Sequence, residues 1–228
     1  MNLNSYFDKI ICINLTKRSD RWEECLLNFN KIGLKVERYE AIDGNPMNWN
    51  HVRNKNNNKK DVKFAGVAGC MASHINIWKM AKEKGWSNVL IIEDDCDFLD
   101  NLQEIFKERI KQVPEDWGLL YFGGIHETRN GEYIPQKISE HISKAKRIIT
   151  TTCYAMKDTC YDLAIDTILE NEPDFYTAVD TYLASRVQPK TNSYCFHPPL
   201  AWQRGSYSNV QNGNRDYSKL MKEDNIKK

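Results

Sequence analysis

Lys9-Ile10-Ile11-Cys12-Ile13-Asn14-Leu15 decides the fold class. Nearly continuous apolar residues over so short a run mark a strand buried on both faces, not the alternation of a half-exposed one. Beyond it, Asp20 with Glu23 three residues later reads as a capping-box-like helix start. The helix carries Trp22, Cys25, Leu26 and Phe29 and stops at Gly33. Lys35 to Tyr39 reads as a second strand, ended by the turn signal Ala41-Ile42-Asp43-Gly44. Strand, short helical crossover and strand together predict a parallel sheet.

The pattern extends outward from this unit. Residues 45–63, with Asn54, Asn56, Asn57 and Asn58 amid lysines, read as a mobile loop. Val67 to Lys84 predicts an amphipathic helix with Met71, Ile75 and Trp78 on one face, closed by Gly85. Val89 to Ile92 is another buried strand, running straight into Glu93-Asp94-Asp95-Cys96-Asp97. A helix over Leu102 to Lys111 leads to a strand, Gly118 to Phe122. Residues 125–146 are polar and irregular, in the manner of a hairpin excursion, and Arg147 to Met156 is β-rich. Helices near Tyr161 to Leu169 and Asp180 to Arg186 precede a last strand, Tyr194 to Phe196. After Trp202 the chain turns polar and is expected to fray at its end. One α/β domain over residues 1–228 accounts for these elements, its sheet mostly parallel and Rossmann-like between flanking helices.

Composition narrows the partners. The 228 residues carry 32 Lys and Arg against 31 Asp and Glu, so no strong field points to a nucleic acid or an anionic membrane. Seven cysteines without a CxxC spacing argue against a zinc knuckle and for buried thiols in a reducing compartment. Met1 to Asp8 lacks the basic-then-apolar pattern of a secretory leader, and no apolar run reaches a membrane span. The expectation is a cytoplasmic protein without an integral membrane segment.

The acidic cluster carries the strongest chemical signal. Ligands of open α/β sheets bind outside the carboxyl ends of strands, which is where Glu93 to Asp97 falls. Crowded carboxylates raise one another's pKa unless a cation neutralises them, and oxygen-only ligands suit magnesium or manganese with phosphate oxygens. The plain alternative is a solvated loop with Asp100 capping the next helix. Alternation along an extended segment puts Glu93 and Asp95 on one side and Asp94 on the other. Asp95 is then the first metal ligand, with Glu93 supporting it or reaching a ribose, and Asp97 either caps a helix or, sharing the side of Asp95, joins it. At the end of the first strand, Asn14-Leu15 with Arg18 and Arg21 beside a helix N-terminus suits a nucleotide, or else covers the surface. Ser73-His74 reads either as a site element or as hydrogen-bonded core. Asp180 reads either as a helix N-cap or as the carboxylate base that an inverting sugar transfer needs.

These motifs, in this order, resemble glycosyltransferase family 25, which includes lipooligosaccharide and collagen hydroxylysine galactosyltransferases. The matching residues are Asn14-Leu15, Arg18 and Asp20-Arg21; Ala41 to Gly44; Gly69-Cys70, Ser73-His74 and Trp78; Glu93-Asp94-Asp95; Val179-Asp180; and Pro199 to Gln203 with Ser208. The resemblance runs from about residue 9 to 210. It implies a GT-A type fold, with a nucleotide-sugar half (9–124), an acceptor half (125–210) and a polar tail (211–228). It further implies a UDP-sugar donor, Mn2+ (or Mg2+) and inversion at the anomeric carbon. Asn14, Leu15, Arg18, Arg21 and Asp43 would frame the nucleotide, with Ser73 and His74 near the donor. Glu93, Asp94 and Asp95 would form the metal and ribose site, Asp180 would be the base, and Gln203 would close over the diphosphate or sugar. The transferred sugar (galactose, glucose or N-acetylglucosamine) would go to a hydroxyl of a glycan, a lipid-linked sugar or hydroxylysine. A metal-dependent nucleotidyltransferase or phosphohydrolase would need a second motif that is not found. A non-catalytic nucleotide- or sugar-binding protein of the same fold would keep uncompensated carboxylates without use.

Overall fold

Apolar strands and amphipathic helices sort into three layers in a computed structural model that describes residues 2–44, 62–127, 135–170, 177–208 and 213–222. In chain order the first elements are α1 (Leu3–Tyr6), β1 (Lys9–Asn14), α2 (Ser19–Lys31), β2 (Glu37–Glu40), α3 (Val62–Lys84), β3 (Asn88–Glu93) and β4 (Cys96–Phe98). Then come α4 (Leu102–Arg109), β5 (Leu119–Tyr121), β6 (Ile125–His126), β7 (Gln136–Lys137), β8 (Ile142–Lys144), β9 (Ile148–Ile149) and β10 (Cys153–Lys157). The last are α5 (Tyr161–Glu170), α6 (Val179–Tyr182), β11 (Ser193–Phe196), β12 (Ala201–Gln203), β13 (Ser206–Ser208), β14 (Gly213–Arg215) and α7 (Ser218–Lys222).

Eight strands pair in the order β2-β1-β3-β10-β5-β11-β8-β7, and six of them run in one direction. The sheet is thus mostly parallel, as the opening strand–helix–strand unit predicts, with β10 inserted antiparallel between β3 and β5. Side chains alternate between two cores. Ile10, Cys12, Leu90, Ile92, Leu120 and Phe122 meet Phe29 of α2 and Phe106 of α4 on one face. Ile11, Ile13, Val89, Ile91 and Tyr121 meet Ile77 and Trp78 of α3 and Ala164 of α5 on the other. Burial on both faces explains why these strands read as unbroken apolar runs.

Local structure corrects several details. The N-cap of α2 is Arg18, without a side-chain cap bond; Asp20 lies in the first turn and pairs with Arg18 instead of capping. Asp100 and Asp97 do not cap α4. Its N-cap is Asn101, Asp100 pairs with Lys31, and Asp97 lies in β4 against Asn28 and Arg204. On α3 the core face includes Ile77, whereas Ile75 is only partly buried. The polar C-terminal stretch is more ordered than expected, because β14 and α7 lie within it. Of residues 45–63, read as a mobile loop, Val62 and Lys63 instead belong to α3, which starts earlier than the expected Val67; residues 45–61 fall outside the described residues, as do the last six.

Candidate functional site

Parallel pairing of β1 with β3, in register Ile13 with Glu93, brings their carboxyl ends together. A cavity of about 500 Å³ opens there, lined among others by Leu15, Arg21, Asp43, Glu93, Asp95 and Asp180. Its floor depends on close backbone packing. A Cβ on Gly69 of α3 would stand 2.4 Å from the Ile42 carbonyl oxygen, so only glycine lets the helix approach the 41–44 turn. Ser73 fastens the same contact: its hydroxyl accepts from the Ile42 N–H at 2.9 Å and donates to the Gly69 carbonyl at 2.7 Å. Ser73 thus lines the cavity with its hydrogen bonds already spent. Asp43 reaches the cavity wall paired with Lys17.

The three adjacent carboxylates have three different surroundings. β3 ends at Glu93 and residues 94–95 form a turn, so strict alternation ceases and Arg21 faces both aspartates. Asp94 is fully engaged, by Arg21 and by the Asn14 amide at 2.6 Å. The Asn14 side-chain Oδ1 in turn accepts from Arg38 at 2.5 Å, so Asn14 sits behind the cavity and orients Asp94. Asp95 accepts from Gln203 at 3.1 Å and lies 3.6 Å from Arg21, but its Oδ1 is buried without a partner among the described residues. Burial, and then the Glu93 charge, push the Asp95 carboxyl up to about 6. Glu93 is half-buried, yet the neighbouring His74 and the Thr151 hydroxyl (2.6 Å) hold its carboxyl below the usual value.

His74 is completely buried behind Glu93 and is not part of the cavity wall. Its Nδ1 lies 2.9 Å from the Tyr154 hydroxyl, which also accepts from the Trp78 indole at 2.9 Å. Its Nε2 points at Glu93 Oε1, 3.5 Å away. Cys70, one turn earlier on α3, lines the cavity, and burial and the Glu93 charge raise its thiol well above the usual value. Arg18 also lies off the cavity, its guanidinium bonded to Asp20 at 2.8–3.3 Å.

Asp180 approaches from α6. It is the second residue of that helix, whose N-cap is Ala178, and its carboxylate accepts from the Thr181 N–H at 2.5 Å. Burial, opposed by that bond and reinforced by the Glu93 charge, raises its pKa above the ordinary 3.8.

Sequence reasoning missed a further part of the wall. Thr150 lines the cavity with φ 132°, a backbone conformation rare for a β-branched residue, and its hydroxyl oxygen is buried unpartnered among the described residues. Tyr207, Arg215 and Tyr217 close another side from the β13–β14 hairpin and the residues after it. Arg21 ties the hairpin down, donating at 2.7 Å to both the Ser206 hydroxyl and the Tyr207 carbonyl. Three consecutive threonines (150–152) were the only sequence signal for the first group, and they also read as ordinary strand.

Residues 7–194 match the sequence model of a family described as "Glycosyltransferase family 25 (LPS biosynthesis protein)". A procollagen lysyl hydroxylase and glycosyltransferase of Acanthamoeba polyphaga mimivirus is 30% identical over 166 residues, 65% of this chain and 18% of that protein. Procollagen galactosyltransferase 2 of Homo sapiens is 30% identical over 129 residues, 51% of this chain and 21% of that one. The chain therefore spans about a fifth of the length of these relatives. The fold is similar to the crystal structure of a glycosyltransferase involved in glycosylation of the major capsid of PBCV-1. The TM-score is 0.50 at 11% identity, covering 90% of this chain and 95% of that one. Gln203 and the hairpin lie beyond the matched residues.

Proposed function

The chain belongs to glycosyltransferase family 25, and from that premise we propose that it transfers a sugar from a UDP-sugar to an acceptor hydroxyl, inverting the anomeric carbon. The observation that carries this reading is a cavity at the carboxyl ends of β1 and β3 with Glu93 and Asp95 on one side and Asp180 on another. Galactose heads the list of donor sugars, since the human relative is named a galactosyltransferase. The acceptor hydroxyl belongs to a glycan, a lipid-linked sugar or hydroxylysine.

An all-oxygen donor set, with one Asp95 oxygen buried and unpartnered, suits a hard divalent cation held by Asp95 with Glu93. Such an ion, manganese or magnesium, supplies charge neutralisation to the diphosphate leaving group. Asp94 is not a ligand in this scheme, because Asn14 and Arg21 already engage its oxygens. It fixes Arg21, whose cation offsets charge beside Asp95. Leu15, Lys17 and Asp43 border the space for the nucleotide, and Gln203 holds Asp95 toward the diphosphate.

Asp180 takes the proton of the acceptor hydroxyl as its oxygen attacks the anomeric carbon and the bond to the diphosphate breaks. Its raised pKa makes it a stronger base than an exposed aspartate. Calorimetric titration of UDP with and without manganese, followed by a UDP-release screen over UDP-sugars, tests the scheme. Asp95→Asn is expected to weaken manganese-assisted UDP binding by about tenfold or more while the fold is kept. Equal binding by the variant and the parent would remove Asp95 from the site.

A further inference from the structure

One sulfur, one nitrogen and one oxygen, from Cys70, His74 and Glu93, come within 4.8 Å of one another. Cys70 and His74 stand four residues apart on α3 and so share a face, and β3 brings Glu93 opposite them. The His74 ring is wholly enclosed, and its Nε2 has no hydrogen-bond partner among the described residues. That nitrogen lies 3.5 Å from Glu93 Oε1. Tetrahedral zinc, with bonds of about 2.0–2.3 Å, sets neighbouring ligand atoms roughly 3.5 Å apart. We propose that Cys70, His74 and Glu93 form a binding site for zinc or a similarly borderline-soft divalent ion, with its fourth position open to the cavity.

A thiol–imidazole–carboxylate set selects a different metal from the all-oxygen pair Glu93 and Asp95. The Tyr154 hydroxyl stands ready to accept from Nδ1–H when Nε2 binds metal, the partner that metal-bound imidazoles regularly have. Burial, and then the surrounding carboxylates, raise the Cys70 thiol; the same carboxylate charges favour a cation that displaces its proton to solvent. Metal binding here does not rest on the sugar-transfer reading; its consequence does. Glu93 cannot serve both sites at once, so zinc opposes manganese-supported transfer.

Cobalt(II), titrated into the full chain, tests the site without an activity assay. The parent is expected to show a thiolate-to-cobalt charge-transfer absorption at one cobalt per chain, displaced by zinc. Cys70→Ser and Cys70→Ala should both lose this absorption and bind zinc at least about tenfold more weakly. Asp95→Asn should keep the absorption, even though it disables the manganese site. Three results would each overturn the assignment: no such absorption in the parent at saturating cobalt, its survival in either Cys70 variant, or its loss in Asp95→Asn. The transfer reading fails separately, on the UDP and manganese titration.

Discussion

The two sides of the cavity are built differently. The β1–β3 side is continuous strand backed by two cores, and its polar groups are mostly bonded to one another. The side formed by Ile149 to Thr152, Ala178 to Asp180, Gln203, Tyr207, Arg215 and Tyr217 is made of short strands, a four-residue helix continued as a π-helical turn (Leu183–Val187), and a hairpin. Both sides keep polar groups in reserve: on the first, Asp95 has an Oδ1 unpartnered among the described residues and a raised pKa, and on the second, Thr150 has a hydroxyl unpartnered among the described residues and Asp180 a raised pKa. A wall of continuous strand suits binding of an invariant ligand part. A wall of short elements and a hairpin suits the variable partner.

Arg21 is the link between the sides, so breaking it should have the largest effect. Arg21→Met strands Asp94 as a buried charge and frees the hairpin, and is expected to destabilise the protein by about 3–5 kcal/mol. Denaturant unfolding of both proteins checks this; a loss under 1 kcal/mol would mean the two sides are fastened independently. Next comes Asp180→Asn, which sharpens the contrast. The amide still accepts from the Thr181 N–H, so the melting temperature and UDP-sugar affinity should hold, while turnover falls by roughly 100-fold or more. Near-normal turnover would leave Asp180 a structural residue of α6. The smallest effect concerns His126 of β6, whose pKa burial lowers to about 4. Buried neutral, it supports the fold fully above the unfolded value of 6.5, and that support is lost as pH falls toward 4. The expected cost is about 1.4 kcal/mol at pH 5.5, and His126→Gln should flatten the dependence between pH 6.5 and 5.5. A parent stability curve identical to that of the variant would refute it.

The β1–β3 side was legible in the sequence because burial on both faces leaves unbroken apolar runs, and because a strand end marks where ligands gather. The acidic cluster and Arg21 were found for that reason. The division of labour among Glu93, Asp94 and Asp95 was not, since the strand stops one residue into the cluster and alternation stops with it. Arg18 looked equivalent to Arg21, yet Arg18 stands outside the helix as its N-cap, bonded to Asp20, whereas Arg21 lies within the helix and is buried against Asp94. On the far side, Tyr207, Arg215 and Tyr217 had no periodicity to reveal them. A hairpin held by a distant arginine leaves no local signature in its own residues.

The β13–β14 ladder pairs with itself and not with the eight-stranded sheet. Substitutions along it therefore leave the register of the main ladder untouched, provided Ser206 and the Tyr207 carbonyl still meet Arg21. Selection can then rewrite that rim of the cavity while the scaffold stays constant. Swapping residues 206–217 between related chains would change one wall of the cavity without touching the sheet beneath it.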